Sequence, residues 1–184
     1  MGIESLILRL GREPSRAHEW EKGASGERIV GARLDRINGI EVLHDRGIPR
    51  TRATIDHIAV GPGGVYVIDA KLYSGRVEHR DVDGLPRRDV RPFVGSRNRT
   101  KLVSALRAQV NAIIRALGAT PVPVSAALCV VETQRSSNAE PFMLDGVWVG
   151  TPAALPDLVA RPGLLDCETI QLTASMLDER LPRT

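Results

Sequence analysis

Two aspartates and a lysine, Asp56, Asp69 and Lys71, are the residues of this sequence whose types and spacing most favour chemistry. A β-hairpin over this stretch would place the two aspartates opposite each other on adjacent strands. Directly opposed residues have Cβ atoms about 4.5–5.5 Å apart, and like charges there repel. A hard divalent cation such as Mg²⁺ binds carboxylate oxygens and offsets that repulsion. The three residues therefore predict a site for such a cation, with the lysine amine holding or polarising a metal-bound water molecule.

The lysine at position 71 is informative because the chain contains only three lysines against 22 arginines. Arginine is used nearly wherever a positive charge alone is needed. The compact ammonium of lysine has a pKa that shifts readily, which suits water activation better than a planar guanidinium does. The alternative is that Asp69 and Lys71 form an ordinary solvated ion pair on the polar face of the hairpin.

The hairpin itself is predicted from local composition. Residues 55–60 and 65–71 are short runs rich in Val and Ile, and residues 61–64 between them, Gly-Pro-Gly-Gly, are turn formers. If Val60 pairs with Val65 across this four-residue loop, the two aspartates lie opposite each other. Strand alternation then puts the lysine on the same face.

A helix predicted over residues 16–37 carries a further candidate, Glu27. Apolar residues follow it at spacings of three and four, beginning with Val30, so the carboxylate is in register with the buried face. A carboxylate in that position needs a partner or a metal. The alternative is a surface glutamate near the helix start, favoured by the helix dipole and paired with Arg28 or Arg33.

Gln109 lies on the border of the apolar stripe of a second helix, predicted over residues 101–117. A polar group at this border is able to reach into a cleft. The alternative is an ordinary half-buried glutamine at the edge of a helix. The spacing alone is compatible with both interpretations.

Positive charge is concentrated after the hairpin. Residues 76–101 carry seven arginines and one lysine against four acidic residues, a local balance of 8 − 4 = +4. Residues 85–99 within this segment are predicted to form an arginine-rich loop, which either contacts nucleic-acid phosphates or is simply solvated. A second polar loop, predicted over residues 45–54, carries Arg50 and Arg52.

Length and composition suit one α/β domain. The chain has 184 residues, of which 42% are hydrophobic and only 3% aromatic, so the core must be aliphatic. We predict a single domain over residues 16–184 that follows an N-terminal extension over residues 1–15. The net charge of +3 and the pI near 9.2 permit nucleic-acid binding without requiring it.

Cysteine usage and hydropathy indicate a compartment. Cys129 and Cys167 are far apart and have no metal-ligand spacing, which argues against a disulfide framework and a zinc site. The apolar run over residues 6–10 is broken by Arg9 and is too short for a signal peptide or a membrane span. The sequence therefore predicts a cytoplasmic protein without a membrane segment.

The motifs around these residues resemble those of the nuclease-related domain (NERD) family, within the PD-(D/E)XK nuclease-like superfamily. Residues 23–117 contain G-x-x-G-E on a helix, then I-D-H-I-x-V-x-P-x-G-V-Y-V-I-D-A-K-x-Y-x-G, then a helix with a glutamine. This stretch is more than half of the chain, and the central motif is long enough to be specific. The resemblance implies a restriction-endonuclease-like α/β fold, in which helices flank a mixed central sheet.

The resemblance also implies a metal-dependent catalytic site. The family's catalytic positions correspond, in chain order, to Glu27, Asp56, Asp69, Lys71 and Gln109. Mg²⁺ or Mn²⁺ is expected at the three acids with help from the Ala70 carbonyl, while the lysine positions the attacking water.

Three positions depart from the family pattern. Asp69 is one methylene shorter than the glutamate most often found before x-K, which bears on metal geometry. Leu85 and Pro86 stand where an aromatic residue is expected near the Asp-Gly turn. Ile113 replaces the tyrosine that related RecB-like nucleases place four residues after the glutamine. The last two departures bear on substrate handling.

The implied function is hydrolysis of phosphodiester bonds in DNA. Six arginines are expected to contact the phosphate backbone: Arg50, Arg52, Arg76, Arg87, Arg88 and Arg91. The alternative is a catalytically weak or inactive nuclease-fold module that binds nucleic acid or a protein partner, because a fold does not by itself establish an activity.

Overall fold

The computed structural model describes the backbone of residues 16–73, 77–81, 90–94, 97–98, 100–132 and 140–184. Side chains are described for residues 23–72, 102–131 and 140–184. The extension predicted over residues 1–15 lies outside the described residues. Among the helices of the described part, none combines the length and the apolar character needed to cross a membrane.

In the described part of the chain one helix comes first, followed by six strands, a second helix, three strands and two further helices. The strands are β1 (Glu41–Gly47), β2 (Thr54–Gly61), β3 (Gly64–Tyr73), β4 (Val77–Asp81), β5 (Val90–Val94), β6 (Arg97–Asn98), β7 (Val124–Glu132), β8 (Phe142–Leu144) and β9 (Val147–Gly150). The α-helices are α1 (Arg16–Leu34), α2 (Thr100–Leu117), α3 (Leu155–Val159) and α4 (Cys167–Arg180), and a 3-10 turn over Pro152–Ala154 precedes α3.

Six of the strands form one mixed sheet in the order β1-β2-β3-β7-β9-β8. The strands β1, β2 and β3 form an antiparallel meander, and β3 is parallel to β7. The strand β9 is parallel to β7 and antiparallel to β8. The strands β4, β5 and β6 form a separate antiparallel sheet. The predicted α/β class with a mixed central sheet is confirmed.

Helices cover both faces of the six-stranded sheet. On one face α2 and α4 pack through residues such as Leu106 and Leu177, and on the other α1 and α3 pack through residues such as Val30 and Leu158. The central strands β3 and β7 are thus buried on both sides. This explains why each contains a nearly continuous run of apolar residues.

Several boundaries differ from the sequence expectation. Residues 45–47 continue β1 instead of opening a loop, and β5 and β6 lie within the segment predicted as an arginine-rich loop. The short strand β8 was not predicted. Helix α4, which the sequence predicts only over residues 173–180, begins six residues earlier, because the Asp166 carboxylate caps it by accepting the N–H of Thr169 at 2.8 Å.

The register of the β2–β3 hairpin agrees with the sequence prediction, since Val60 pairs with Val65. The loop is tighter than the four residues expected. Its first and last glycines also pair in the ladder, so only Pro62 and Gly63 remain in the turn. The carbonyl of Pro62 accepts the N–H of Leu165 at 3.0 Å, which fastens the turn to the segment before α4.

Helix α1 approaches the sheet closely at two glycines. A Cβ added at Gly26 would lie 3.1 Å from the backbone nitrogen of Leu72, and one at Gly31 would lie 3.3 Å from Cε1 of His57. Glycine weakens helix propensity, but here the missing side chains let the helix come close to the strands. Glu27 directly follows Gly26, so the contact between Gly26 and Leu72 sets the distance of Glu27 from the sheet.

These contacts predict opposite effects for two Gly→Ala substitutions in the same helix. Gly23→Ala should stabilise the protein by up to about 1 kcal/mol through helix propensity, because its Cβ would meet only the Glu27 carboxylate, at 3.9 Å. Gly26→Ala should lower the melting temperature, because the backbone of Leu72 would have to move. Thermal melts of both variants measure the difference, and equal shifts would contradict the close approach.

Candidate active site

Asp56 lies where the strands β2 and β3 part. The last pair of their ladder is His57 opposite Ile68, one step before Asp56 would meet Asp69. Beyond this point the Asp56 carboxylate takes the place of a backbone partner, since its Oδ2 accepts the N–H of Ala70 at 2.9 Å. This hydrogen bond fixes the carboxylate beside β3.

The ammonium of Lys71 lies between the two aspartates. Its Nζ donates to Asp69 Oδ1 at 2.8 Å and to the Ala70 carbonyl at 3.1 Å, and it lies 3.7 Å from Asp56 Oδ2. The structure therefore brings together the three residues singled out in the hairpin. Asp69 is only 9% exposed, so the alternative of a solvated ion pair is wrong for it.

Burial changes the acidity of the Asp69 carboxyl. Desolvation raises the pKa of Asp69 to about 6, and the neighbouring Asp56 carboxylate acts in the same direction, while the Lys71 ammonium opposes both. The rise means that the lysine offsets only part of the cost of burying this charge. A cation near both carboxylates would offset more of it.

Glu27 and Asp56 line a common cavity of about 420 Å³ together with Asp45. The remaining walls are formed by Gly23, Ala24, Thr54, Ile55 and Thr184. Partial burial raises the pKa of Glu27, the carboxylates of Asp56 and Asp45 add to the rise, and Lys71 opposes it. The cavity is thus lined by acidic groups from three separate elements.

The surface-pair alternative for Glu27 does not describe its contacts. Arg28 directs its guanidinium to the Ala24 carbonyl at 3.2 Å and to Ser25 Oγ at 3.2 Å. Val30 and Leu34 are buried against the sheet as predicted, and Ile37, beyond the end of α1, is partly buried against the same cluster. Glu27 therefore projects from the border of the buried face into the acidic cavity.

Asp45 is a cavity residue that the sequence analysis missed, because it was assigned to a polar loop. Its φ is +52°, and the β1–β2 ladder skips it. The neighbouring side chains consequently point to opposite faces: His44 lies beside Gly31 of α1, whereas Arg46 pairs with Asp178 of α4. An acid directly after a predicted strand was the available signal, since aspartate tolerates positive φ better than most residues.

Residues 182–184 run beside β1 and hold Asp45 in place. The N–H and Oγ1 of Thr184 donate to the Asp45 carbonyl at 3.1 and 3.2 Å. The N–H of Gly47 donates to the Pro182 carbonyl at 2.8 Å. These contacts give the cavity its wall on the β1 side.

Gln109 contacts the site through the backbone. Its Nε2 donates to the Thr54 carbonyl at 2.9 Å, at the start of β2 and two residues before Asp56. The structure therefore places Gln109 against the strand that carries the aspartate and not against a carboxylate. Its Oε1 is buried and has no partner among the described residues.

The six predicted arginines are described to different extents. Arg50 and Arg52 are exposed on the connection between β1 and β2. Arg91 lies on β5, where only the backbone is described. Arg76, Arg87 and Arg88 lie outside the described residues.

The carboxylate and carbonyl oxygens at this site are suitable ligands for a hard divalent cation. Carboxylate and carbonyl oxygens are the ligands that Mg²⁺ and Mn²⁺ prefer. Among the described residues, no three His, Cys, Asp or Glu side chains are arranged as a ready metal cluster. Mg²⁺ usually takes only one or two carboxylates and keeps several waters, so Asp56 and Asp69 are a suitable donor pair.

The mixed sheet flanked by helices, with two aspartates and a lysine where its hairpin strands part, defines a nuclease-like α/β protein. A profile of the nuclease-related domain family matches residues 22–131, which is more than half of the chain. The chain belongs to this family, and its fold is the restriction-endonuclease-like one that the resemblance implied. No curated protein and no solved structure gives a significant match.

The raised pKa of Asp69 predicts a pH-dependent stability of the metal-free protein. The folded state holds this proton more tightly than the unfolded chain, so the contribution of Asp69 to the free energy of unfolding falls as pH rises from about 4 to about 6. Asp69→Asn should therefore gain up to about 3 kcal/mol relative to the parent across this window. Urea unfolding in EDTA from pH 4 to 7 measures the difference, and a constant difference would contradict the prediction.

Proposed function

We propose that the protein is a metal-dependent nuclease that hydrolyses phosphodiester bonds in DNA. The observation that carries this proposal is the Lys71 ammonium between Asp56 and Asp69, beside the cavity that Glu27 also lines. Membership of the nuclease-related family supports the reaction class. The positive net charge of +3 is compatible with a polyanionic substrate.

The acids are proposed to hold Mg²⁺ or Mn²⁺. Asp56 and Asp69 would supply carboxylate oxygens, with Glu27 and the Ala70 carbonyl as further donors. When bound, such an ion lowers the pKa of water and stabilises negative charge on the phosphate.

Lys71 is proposed to position the attacking water. Its Nζ donates to Asp69 Oδ1 and to the Ala70 carbonyl. Because these contacts fix the amine, a water molecule bound to it would approach the phosphate from a defined direction. Gln109 would act indirectly, by holding the start of β2.

A binding module without activity is the second candidate, and two hydrogen bonds of Lys71 favour it. Lys71 donates to both Asp69 and the Ala70 carbonyl, so these oxygens have a partner without any metal ion. In a protein that does not cleave, the ammonium would replace the metal permanently. Substitutions of Lys71 separate the two candidates.

For a nuclease, we expect Lys71→Ala to abolish nearly all cleavage while metal and DNA affinity stay close to those of the parent, because the loss falls on the transition state. Lys71→Arg should fail almost as badly, since a guanidinium is larger, planar and not readily deprotonated. The measurement is single-turnover cleavage of labelled duplex and single-stranded DNA in Mg²⁺, Mn²⁺ or EDTA. Each protein is first checked for folding by thermal melt.

Asp69→Ala serves as the inactive control in the same assay. Cleavage by Lys71→Arg at a near-parental rate would reduce Lys71 to a structural partner of Asp69. No cleavage by the folded parent with any metal would favour the binding module.

The exposed arginines on the β1–β2 connection give a separate prediction about DNA. Arg50 and Arg52 lie six and four residues before Asp56, on the chain that enters the cavity. If both contact phosphates, replacing both with Ala should reduce the salt slope of DNA binding by about two units without changing sequence preference. Fluorescence anisotropy at several salt concentrations measures the slope.

The matched control replaces Arg33 and Arg36 with Ala. These arginines are also exposed, but Arg33 lies in the last turn of α1 and Arg36 just after it, whereas the cavity is lined by residues 23, 24 and 27 of that helix. An equal loss of salt slope in both double variants would show that the effect comes from positive charge anywhere on the surface. An unchanged slope in Arg50→Ala/Arg52→Ala would show that the β1–β2 connection is an ordinary solvated loop.

A further inference from the structure

Three side chains form a hydrogen-bonded chain beside the candidate site. Asp35 Oδ1 lies 2.9 Å from Nε2 of His44, and Nδ1 of His44 lies 2.8 Å from Nδ1 of His57. The two rings meet edge to face, with centroids 5.0 Å apart. The chain runs inward, because Asp35 is exposed, His44 is half-buried and His57 is only 3% exposed.

The hydrogen-bond inventory gives this chain one direction when both imidazoles are neutral. A carboxylate only accepts, so His44 donates its Nε2–H to Asp35. The lone pair at Nδ1 of His44 then accepts the Nδ1–H of His57. Each ring thereby has one tautomer and one orientation.

The hydrogen-bonded chain of Asp35, His44 and His57 connects helix α1 to two strands of the sheet. Asp35 follows the last residue of α1 directly, while His44 is on β1 and His57 on β2. The helix also rests on both rings at Gly31, where an added Cβ would lie 3.3 Å from Cε1 of His57 and 3.5 Å from Cε1 of His44. The C-terminal half of α1 is thus fixed to β1 and β2 by hydrogen bonds and by direct packing.

Two of the acids depend on elements that this chain joins. Glu27 lies on α1, one turn before Gly31, and Asp56 precedes His57 directly on β2. A rigid helix transmits a shift at Gly31 to Glu27, and a shift of His57 moves the adjacent backbone of Asp56. His57 itself does not line the cavity, so it acts through its neighbours.

We propose that the chain of Asp35, His44 and His57 positions the acidic site by fixing α1 against β2, and that it thereby sets the separation of Glu27 and Asp56. What the site binds rests on the proposed function, whereas the positioning is a property of the metal-free protein. His44 and His57 are therefore positioning residues.

The test compares His57→Asn with His57→Leu. Asparagine keeps a polar group near the place of Nδ1, whereas leucine fills the space without a hydrogen bond. The first readout is the amide spectrum of the metal-free, ¹⁵N-labelled protein. The signal of the Ala70 N–H reports the position of the Asp56 carboxylate, to which it donates. The signal of the Glu27 N–H reports the position of helix α1. The second readout is Mn²⁺ affinity by titration calorimetry.

We expect His57→Leu to move the Ala70 and Glu27 amide signals and to weaken Mn²⁺ binding about 10- to 100-fold, as loss of an outer-shell partner does. His57→Asn should retain the parental signals and bind within about threefold of the parent. Asp35→Ala removes the exposed end of the chain without opening the core, so it tests the inference even if His57→Leu does not fold. Asp35→Ala should move the Glu27 amide signal in the same direction as His57→Leu does.

Ile68→Val is the control for a simple loss of packing, because Ile68 pairs with His57 across the ladder and is fully buried. It should leave both amide signals close to those of the parent. Parental signals and parental Mn²⁺ affinity in folded His57→Leu and Asp35→Ala would overturn the inference. A parent that binds no Mn²⁺ would instead contradict the proposed metal dependence, and the amide signals would still decide the positioning role.

Discussion

The structure around the site depends on compensating one buried charge. A carboxylate as enclosed as that of Asp69 is tolerated only if its charge is matched nearby. Lys71 supplies the match from two residues further along the same strand, and the N–H of Ala70 between them holds Asp56. One short piece of β3 therefore supplies an acid, a backbone donor and a cation in succession. The strands have to separate there, because a continued ladder would give the Ala70 N–H a backbone partner.

Helix α1 is the second support of the site, and its composition reflects a compromise. Glycine inside a helix costs about 1 kcal/mol relative to alanine, yet Gly26 and Gly31 are where the helix touches Leu72 and the histidine pair. The loss of intrinsic stability allows an approach that a side chain would block. Glu27 reaches the cavity because the helix that carries it lies low on the sheet.

Local patterns were sufficient to predict the hairpin register, the family and the residues that meet around Lys71. The turn glycines and the alternation of β2 and β3 determine the register that brings these residues together, whereas the parting of the strands before Asp56 was not predicted. Asp45 could not be predicted in this way, because its place depends on a positive φ and on Thr184, which is remote in sequence. The contact of Gln109 with the Thr54 carbonyl likewise depends on how a helix crosses a distant strand.

The two-residue turn of Pro62 and Gly63 limits which insertions and deletions this hairpin can accept. Surface turns usually tolerate insertions, because lengthening a loop costs little free energy. In this hairpin one added residue that shifted the pairing would send the side chains of one strand to the opposite face. Asp56 and Asp69 would then no longer share a face, although the turn lies at the other end of the strands. The number of residues in this turn is therefore as necessary for the site as the acids themselves.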